Sequence, residues 1–256
     1  MEIRPILASL RKHRIPALLI VLEIALACAV LCNAVFMIGQ RVSDIHLPSA
    51  IDEQGLVAVT LRGIDDKLVG SDIPRNLAAL RGIAGVQQVA VTSSLPLSTN
   101  NWGWSFGVNA DSVVANQKNI NVSLYFISEG GDKALGLHML HGRFFNADEL
   151  ADSKFDTAPL PDTHVVVMTH SAAENFWPGQ SALGKTIYVG KGLPFRVVGV
   201  VASLARPNNL NLGVEYSTLW PIRMTVADGS SYVLRTAPRD LQALLEAAVA
   251  RLKQLN

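Results

Sequence analysis

Residues 165–201 read VVVMTHSAAENFWPGQSALGKTIYVGKGLPFRVVGVV, and their periodicity changes twice within one segment. Val165 to Met168 is an unbroken apolar run rich in β-branched residues, the pattern of a strand buried on both faces. Ser171 to Phe176 then suits a helix. Pro178 cannot continue it and Gly179 accepts the left-handed turn that ends it. Thr186 to Val189 and Phe195 to Val201 return to strand-like sequence. Strands and helices mixed at this spacing predict an α+β, or mixed α/β, fold.

The same segment contains a pattern that invites a different conclusion. Gly179, Gly184, Lys185 and Thr186 satisfy GxxxxGKT, the phosphate-binding loop of nucleotide hydrolases. Such a loop needs a buried strand before it and a helix after it, so that the free N–H groups of the helix amino terminus face the phosphates. Here a helix and Trp177-Pro178 precede it, and Ile187-Tyr188-Val189 follows as a strand. The expected structure is a tight turn entering a strand, with no nucleotide bound.

Working outward, Leu56 to Arg62 alternates like a strand, and Ser71, Asp72 and Pro74 signal a helix that ends near Gly82 or Gly85. Val86 to Thr92 is the next strand. A turn-rich stretch, Ser98 to Asn101, precedes expected strands at Ser105 to Asn109 and Asn121 to Ile127, then a short helix within Gly130 to Leu137. Beyond the loop from Asp152 to Thr163, further strands are expected at Ser217 to Trp220 and Ser231 to Arg235. An amphipathic helix from Pro238 to Leu255 closes the sequence.

At the other end, Ile15 to Ile38 (IPALLIVLEIALACAVLCNAVFMI) is a run of roughly 24 residues with one ionisable side chain, Glu23. At about 1.5 Å per residue this crosses a hydrocarbon core of roughly 30 Å. The run is longer than the core of a cleaved signal peptide, about 7 to 15 residues. Arg4, Arg11, Lys12, His13 and Arg14 precede it, whereas Arg41 on the far side stands among Asp44, Asp52 and Glu53, so the amino terminus is expected in the cytoplasm. Three parts follow: a cytoplasmic amphipathic segment over 1–14, a transmembrane helix over 15–38 and an outer domain over 39–256. Cys28 and Cys32, the only cysteines, lie on the membrane helix, so the outer domain has no disulfide to hold it. A net charge of +1 gives no nucleic-acid footprint.

Glu23 stands roughly 12 Å into the helix at about 1.5 Å per residue, a costly place for an acid that faces lipid. Asn33 points to nearly the same side. The expectation is that Glu23, Cys28 and Asn33 pack against other membrane helices. Elsewhere, Gly103, Ser105 and Gly107 match the GxSxG hydrolase elbow, but neither flank supplies the required strand-to-helix turn. His138, His141, His164 and His170 lack the i, i+4 spacing of a helical zinc site. No catalytic residue, cofactor site or metal site is therefore expected.

The stretch from Val165 to Val201, with its G-x-x-x-x-G-K-T-I turn and closing VVGVV, resembles the signature of MacB-like periplasmic core domains in ABC transporter permeases of the MacB, LolC/E and FtsX type. Gly85 to Pro96 (GVQQVAVTSSLP), Ala134 to Phe145 (ALGLHMLHGRFF) and Tyr232 to Thr236 (YVLRT) follow the family's order. The resemblance implies a periplasmic domain of two subdomains behind one transmembrane helix, in a bacterial inner membrane. It further implies a non-enzymatic permease subunit, or its amino-terminal portion, worked by a separate cytoplasmic ABC ATPase through mechanotransmission. Implied partners are that ATPase, a second permease subunit, and a periplasmic adaptor with an outer-membrane channel; the implied task is export of peptides, antibiotics or lipoproteins. Family members continue into three further membrane helices, so a portion of a longer permease is expected. The alternative reading is a membrane-anchored periplasmic sensor or binding module.

Overall fold

The computed structural model describes residues 14–45, 49–62, 69–98, 102–115, 119–153, 164–207, 215–224 and 231–255. The chain forms two units, Met1–Leu47 and Pro48–Asn256. The first contains α1 (Arg14–Ile45), a helix of 32 residues. Its apolar part, Arg14–Gly39, has a mean hydropathy of 2.7 with none of it buried. At about 1.5 Å per residue α1 exceeds the roughly 30 Å hydrocarbon core. An apolar helix with no protein around it needs lipid or partner helices. The segment expected over 1–14 lies outside the described residues, except Arg14.

Among the described residues the second unit carries eleven strands in a single connected sheet, in the order β1 (Leu56–Thr60), β11 (Ser231–Arg235), β2 (Gln88–Thr92), β4 (Ile120–Ile127), β3 (Trp102–Gly107), β8 (Thr186–Val189), β9 (Leu193–Val201), β7 (Val165–Thr169), β10 (Ser217–Met224) and β6 (Ala151–Ser153), with β5 (Met139–Gly142) paired to β9. Its smaller lobe is the antiparallel ribbon of β1 (Leu56–Thr60), β11 (Ser231–Arg235) and β2 (Gln88–Thr92). The period of two is plain here. Val89, Val91, Tyr232 and Leu234 join Val57 on one face, where α2 (Val69–Arg81) contributes Ile73, Leu77 and Leu80 and the closing α6 (Leu241–Leu255) contributes Leu244, Ala248 and Leu252. Ala90 and Val233, one register position away, enter a different cluster on the opposite face.

The larger lobe closes on itself. β4 (Ile120–Ile127) pairs with β3 (Trp102–Gly107), which continues through β8 (Thr186–Val189), β9 (Leu193–Val201) and β7 (Val165–Thr169) to β10 (Ser217–Met224). β10 then pairs in parallel with β4, completing a six-stranded ring. Phe106, Phe195 and Trp220 pack ring against ring within it, at centroid distances of 6.0 and 4.4 Å from Trp220. The two lobes meet at one ladder pair, Thr92 with Ile127, and through a shared apolar cluster that includes Ala90, Tyr125, Ile127, Leu219 and Val233. This is a mixed helix-and-strand architecture of two lobes.

Most expected elements are present, and the differences have physical causes. β3 starts at Trp102 and ends at Gly107, because residues 102–106 are in ladder register with β4. A short helix, α3 (Ala110–Val114), follows where none is expected, capped by the Asn109 side chain accepting from the Asp111 N–H at 2.9 Å. β10 runs four residues beyond Trp220 despite Pro221. The proline sits where β10 leaves β4 at Ile127 and takes up β6 (Ala151–Ser153) from Ile222 onward, so its missing N–H falls at a change of partner. β5 (Met139–Gly142) and β6 are additional strands. α4 (Gly131–Leu135) and α5 (His170–Phe176) occupy the expected helical stretches.

Candidate functional site

The turn that imitates a phosphate loop is filled by its own bonds. α5 precedes it and β8 follows. Both glycines of the pattern have positive φ, 67° at Gly179 and 76° at Gly184, so glycine is required by backbone geometry alone. The N–H groups are engaged: Gly179 donates to Glu174 Oε1 at 2.7 Å, Gly184 to the Val197 carbonyl at 2.9 Å and Lys185 to the Ala182 carbonyl at 3.1 Å. Lys185 Nζ donates to Gln180 Oε1 at 2.7 Å and lies 5.1 Å from the Trp177 ring centroid. The lysine folds back on its own turn, and no row of amides faces a ligand.

Ser105 lies within β3 opposite Asn121. An elbow serine sits on a sharp turn between strand and helix, whereas Ser105 occupies regular ladder backbone two residues before the strand ends. The α3 that follows is separated from it by Phe106 to Asn109. Among the described residues no group of three or more His, Cys, Asp or Glu is placed to hold a metal ion.

Glu23, Cys28 and Asn33 all lie on α1 and are exposed. At about 100° per residue Asn33 sits roughly 80° around the helix from Glu23, within the width of one packing stripe. Cys28 is roughly 140° from Glu23 by the same arithmetic. The three therefore do not share one face.

What sequence reading did not find is a cleft at the seam between the lobes of the second unit. It has a volume of about 510 Å³ and lies between α2 and the end of β10. Its apolar wall includes Ile73 and Leu77 of α2, Val91 of β2 and Leu150. Among the described residues, Arg81, Glu129 and Arg223 are its charged lining. The volume is in the usual range for small-molecule sites, about 300 to 1,000 Å³. Arg223 is held in place by donating to the Leu150 carbonyl at 3.1 Å and to the Ala147 carbonyl at 3.4 Å. The Ser128 hydroxyl, also in the lining, accepts from the Val91 N–H at 2.9 Å and ties the turn after β4 to β2. These residues come from five separate stretches of sequence with no motif among them.

A second arrangement fixes the start of the outer unit. Arg235, at the end of β11, donates to Asp52 Oδ2 at 2.7 Å, to the Asp52 carbonyl at 2.8 Å, to the Gln54 carbonyl at 3.1 Å and to the Ala134 carbonyl at 3.0 Å. One guanidinium thereby joins residues 52–54, β11 and α4. Gly55 (φ 80°) lies so close to β11 that an added Cβ would stand 2.1 Å from the Thr236 carbonyl oxygen.

Residues 18–253 match the family model described as the MacB-like periplasmic core domain. The periplasmic region of MacB from Actinobacillus actinomycetemcomitans is 20% identical, with 83% of this chain and 89% of that one covered at a TM-score of 0.51. The extracellular domain of the noncanonic ABC-type transporter YknZ from Gram-positive bacteria is 17% identical over 78% of this chain and 93% of that one, at a TM-score of 0.49. A domain of a putative permease protein from Porphyromonas gingivalis is 17% identical over 70% and 75%, at 0.43. At these identities the likeness is one of fold, and the MacB region carries it. No curated protein matches at a significant level.

Proposed function

Because this chain belongs to the family of MacB-like periplasmic core domains of ABC transporter permeases, we propose that it is a permease component worked by a separate cytoplasmic ATPase. The observation that carries this reading is the extent of the match. It runs from residue 18, inside the apolar helix, to residue 253, near the end of α6, so helix and outer domain belong to one family unit. In this reading residues 1–14 lie in the cytoplasm, 15–38 cross the inner membrane and 39–256 form the periplasmic part. ATP hydrolysis moves the membrane helices, and the motion reaches the outer domain. The Arg235 clamp suits such a task, because it ties Asp52 and Gln54, near the start of the outer unit, to β11 and α4 through four hydrogen bonds. A second permease subunit, and an adaptor with an outer-membrane channel, complete the proposed assembly for export of peptides, antibiotics or lipoproteins.

The alternative, an anchored sensor or binding module, draws support from the seam cleft, since ligand binding needs no ATPase. Both readings place the larger unit outside the cytoplasm. A reporter enzyme active only there is expected to work when fused after Arg62 and to be silent when fused at Ser9. The reverse pattern would overturn both.

A further inference from the structure

Along β3 the ladder with β4 decides which backbone groups are left over. The Ser123 N–H donates to the Tyr216 carbonyl at 2.9 Å, so the odd-numbered residues of β4 turn their N–H and C=O groups toward β10 and the even-numbered ones toward β3. Across the ladder, Leu124, Val122 and Ile120 meet Trp102, Trp104 and Phe106. Gly103 and Ser105 therefore turn their N–H and C=O groups the other way, to the side of β8. β8 reaches this edge only at Phe106 and Gly107. Gly103 and Ser105 are exposed, and among the described residues none bonds their four main-chain groups on that side.

The edge is also unguarded. Proteins commonly protect such an edge with a bulge or a charged side chain. β5 has both, an irregularity between Met139 and His141 and Arg143 just beyond its end, whereas residues 102–105 (WGWS) form a regular, uncharged ladder. Trp102 and Trp104 share the face of Leu124 and Val122 yet are 44% and 40% exposed. The Trp102 ring rests against Phe126 at a centroid distance of 6.5 Å. Gly103 and Ser105 are too small to screen the edge.

Unpaired main-chain groups beside two exposed indoles specify an extended peptide: another backbone in strand geometry meets the first, and apolar side chains two residues apart meet the second. We propose that residues 102–105 of β3 are a strand-addition site for an extended peptide with apolar side chains at alternate positions. The peptide lies antiparallel to β3, in line with β8 beyond its end at Val189. Its residues opposite Gly103 and Ser105 exchange main-chain hydrogen bonds with them, and its apolar side chains stand beside Trp102 and Trp104. A lipid tail supplies no such row of donors and acceptors. The site stands on the geometry of β3 alone, so it and the coupling to an ATPase can fail separately.

The test measures the fluorescence anisotropy of a labelled peptide, STVTVTS, with the full chain in nanodiscs. Saturable binding is expected, and two N-methylated versions separate strand addition from simple apolar contact. With the valines opposite Trp104 and Trp102, the N–H groups of the first and second threonines face β3. Methylating those two amides should abolish binding, whereas methylating the valine amides should leave it nearly unchanged. Trp104→Ala should weaken binding roughly tenfold, as loss of an aromatic anchor does. Ser105→Pro removes an N–H that turns away from β4, a change an edge strand tolerates, and it should abolish binding. Thermal melting identifies a failure of that variant to fold, and Trp104→Ala with the methylated peptides then decides the matter. Leu140→Ala, on the bulged β5, should leave binding unchanged. No saturable binding up to about 1 mM peptide, equal tolerance of both methylation patterns or the reverse pattern, or full affinity in Trp104→Ala would each overturn the proposal. A concentration-dependent dimer of the chain, lost in Trp104→Ala and undisturbed by the peptide, would assign the edge to a second copy and overturn it too.

Discussion

Tyr125 and Arg206 show how the larger lobe accommodates large polar side chains in its interior. The Tyr125 hydroxyl is buried and donates to the Ala205 carbonyl at 2.6 Å, while Arg206 donates to Ser123 Oγ and Asn121 Oδ1, both at 2.9 Å. Burial pushes the Tyr125 phenol well above its ordinary value, with the nearby Arg206 guanidinium pulling the other way; burial also lowers the pKa of Arg206. The sign follows from the raised tyrosine value. Stability is fully present below the unfolded pKa of about 10 and is lost as pH rises beyond it, at up to roughly 1.4 kcal/mol per pH unit. Tyr125→Phe should cost about 1 to 3 kcal/mol at neutral pH, because the Ala205 carbonyl loses its donor. The variant should also show a shallower alkaline decline. Urea denaturation from about pH 7 to about pH 11 measures both effects. Lys185→Ala tests a different residue-scale claim: equilibrium dialysis with ATP should find no lysine-dependent binding, since Lys185 is engaged with Gln180 and Trp177.

At the scale of elements, close backbone approach makes the sharpest prediction. Gly55→Ala places a Cβ 2.1 Å from the Thr236 carbonyl oxygen at a φ of 80°, so either the entry segment or β11 must shift. A loss of at least about 2 kcal/mol is expected. Gly179→Ala has nothing within 4 Å of the added Cβ and only its φ of 67° against it, so roughly 1 kcal/mol is expected. Thermal melting of the two variants side by side checks the ordering. The strands legible in the sequence, such as Val165–Thr169 and Thr186–Val189, are those whose burial repeats locally. β10 was legible only to Trp220 because Pro221 removes a donor, and the change of partner strand that accommodates it is a tertiary event. β5 and β6 are short and acquire strand geometry from β9 and β10. The cleft was illegible for a related reason: α2, β2, the turn after β4 and the end of β10 are brought together only by the join between the lobes.

For the whole molecule, the two units answer to different solvents. The outer unit buries its own apolar residues, whereas α1 exposes side chains such as Leu22, Leu26 and Phe36 throughout. That contrast was plain in the sequence, and so was the odd placement of Glu23. In lipid a carboxyl group has no water to satisfy it. Glu23→Leu is therefore expected to leave the outer domain folded while weakening association with partner helices, by the roughly 0.6 to 2 kcal/mol of an interhelical hydrogen bond. Partial loss of complex is the expected outcome, read against Leu22→Ala as a control.

The most direct measurement is recovery of an ABC-type ATPase with the full chain after mild-detergent purification, with the wild-type chain and Glu23→Leu prepared in parallel. The account predicts an ATPase subunit in constant ratio to the wild-type chain, at a reduced ratio with Glu23→Leu, and its hydrolysis rate altered by the association. A correctly folded, membrane-inserted wild-type chain that repeatedly purifies with no ATPase would contradict it.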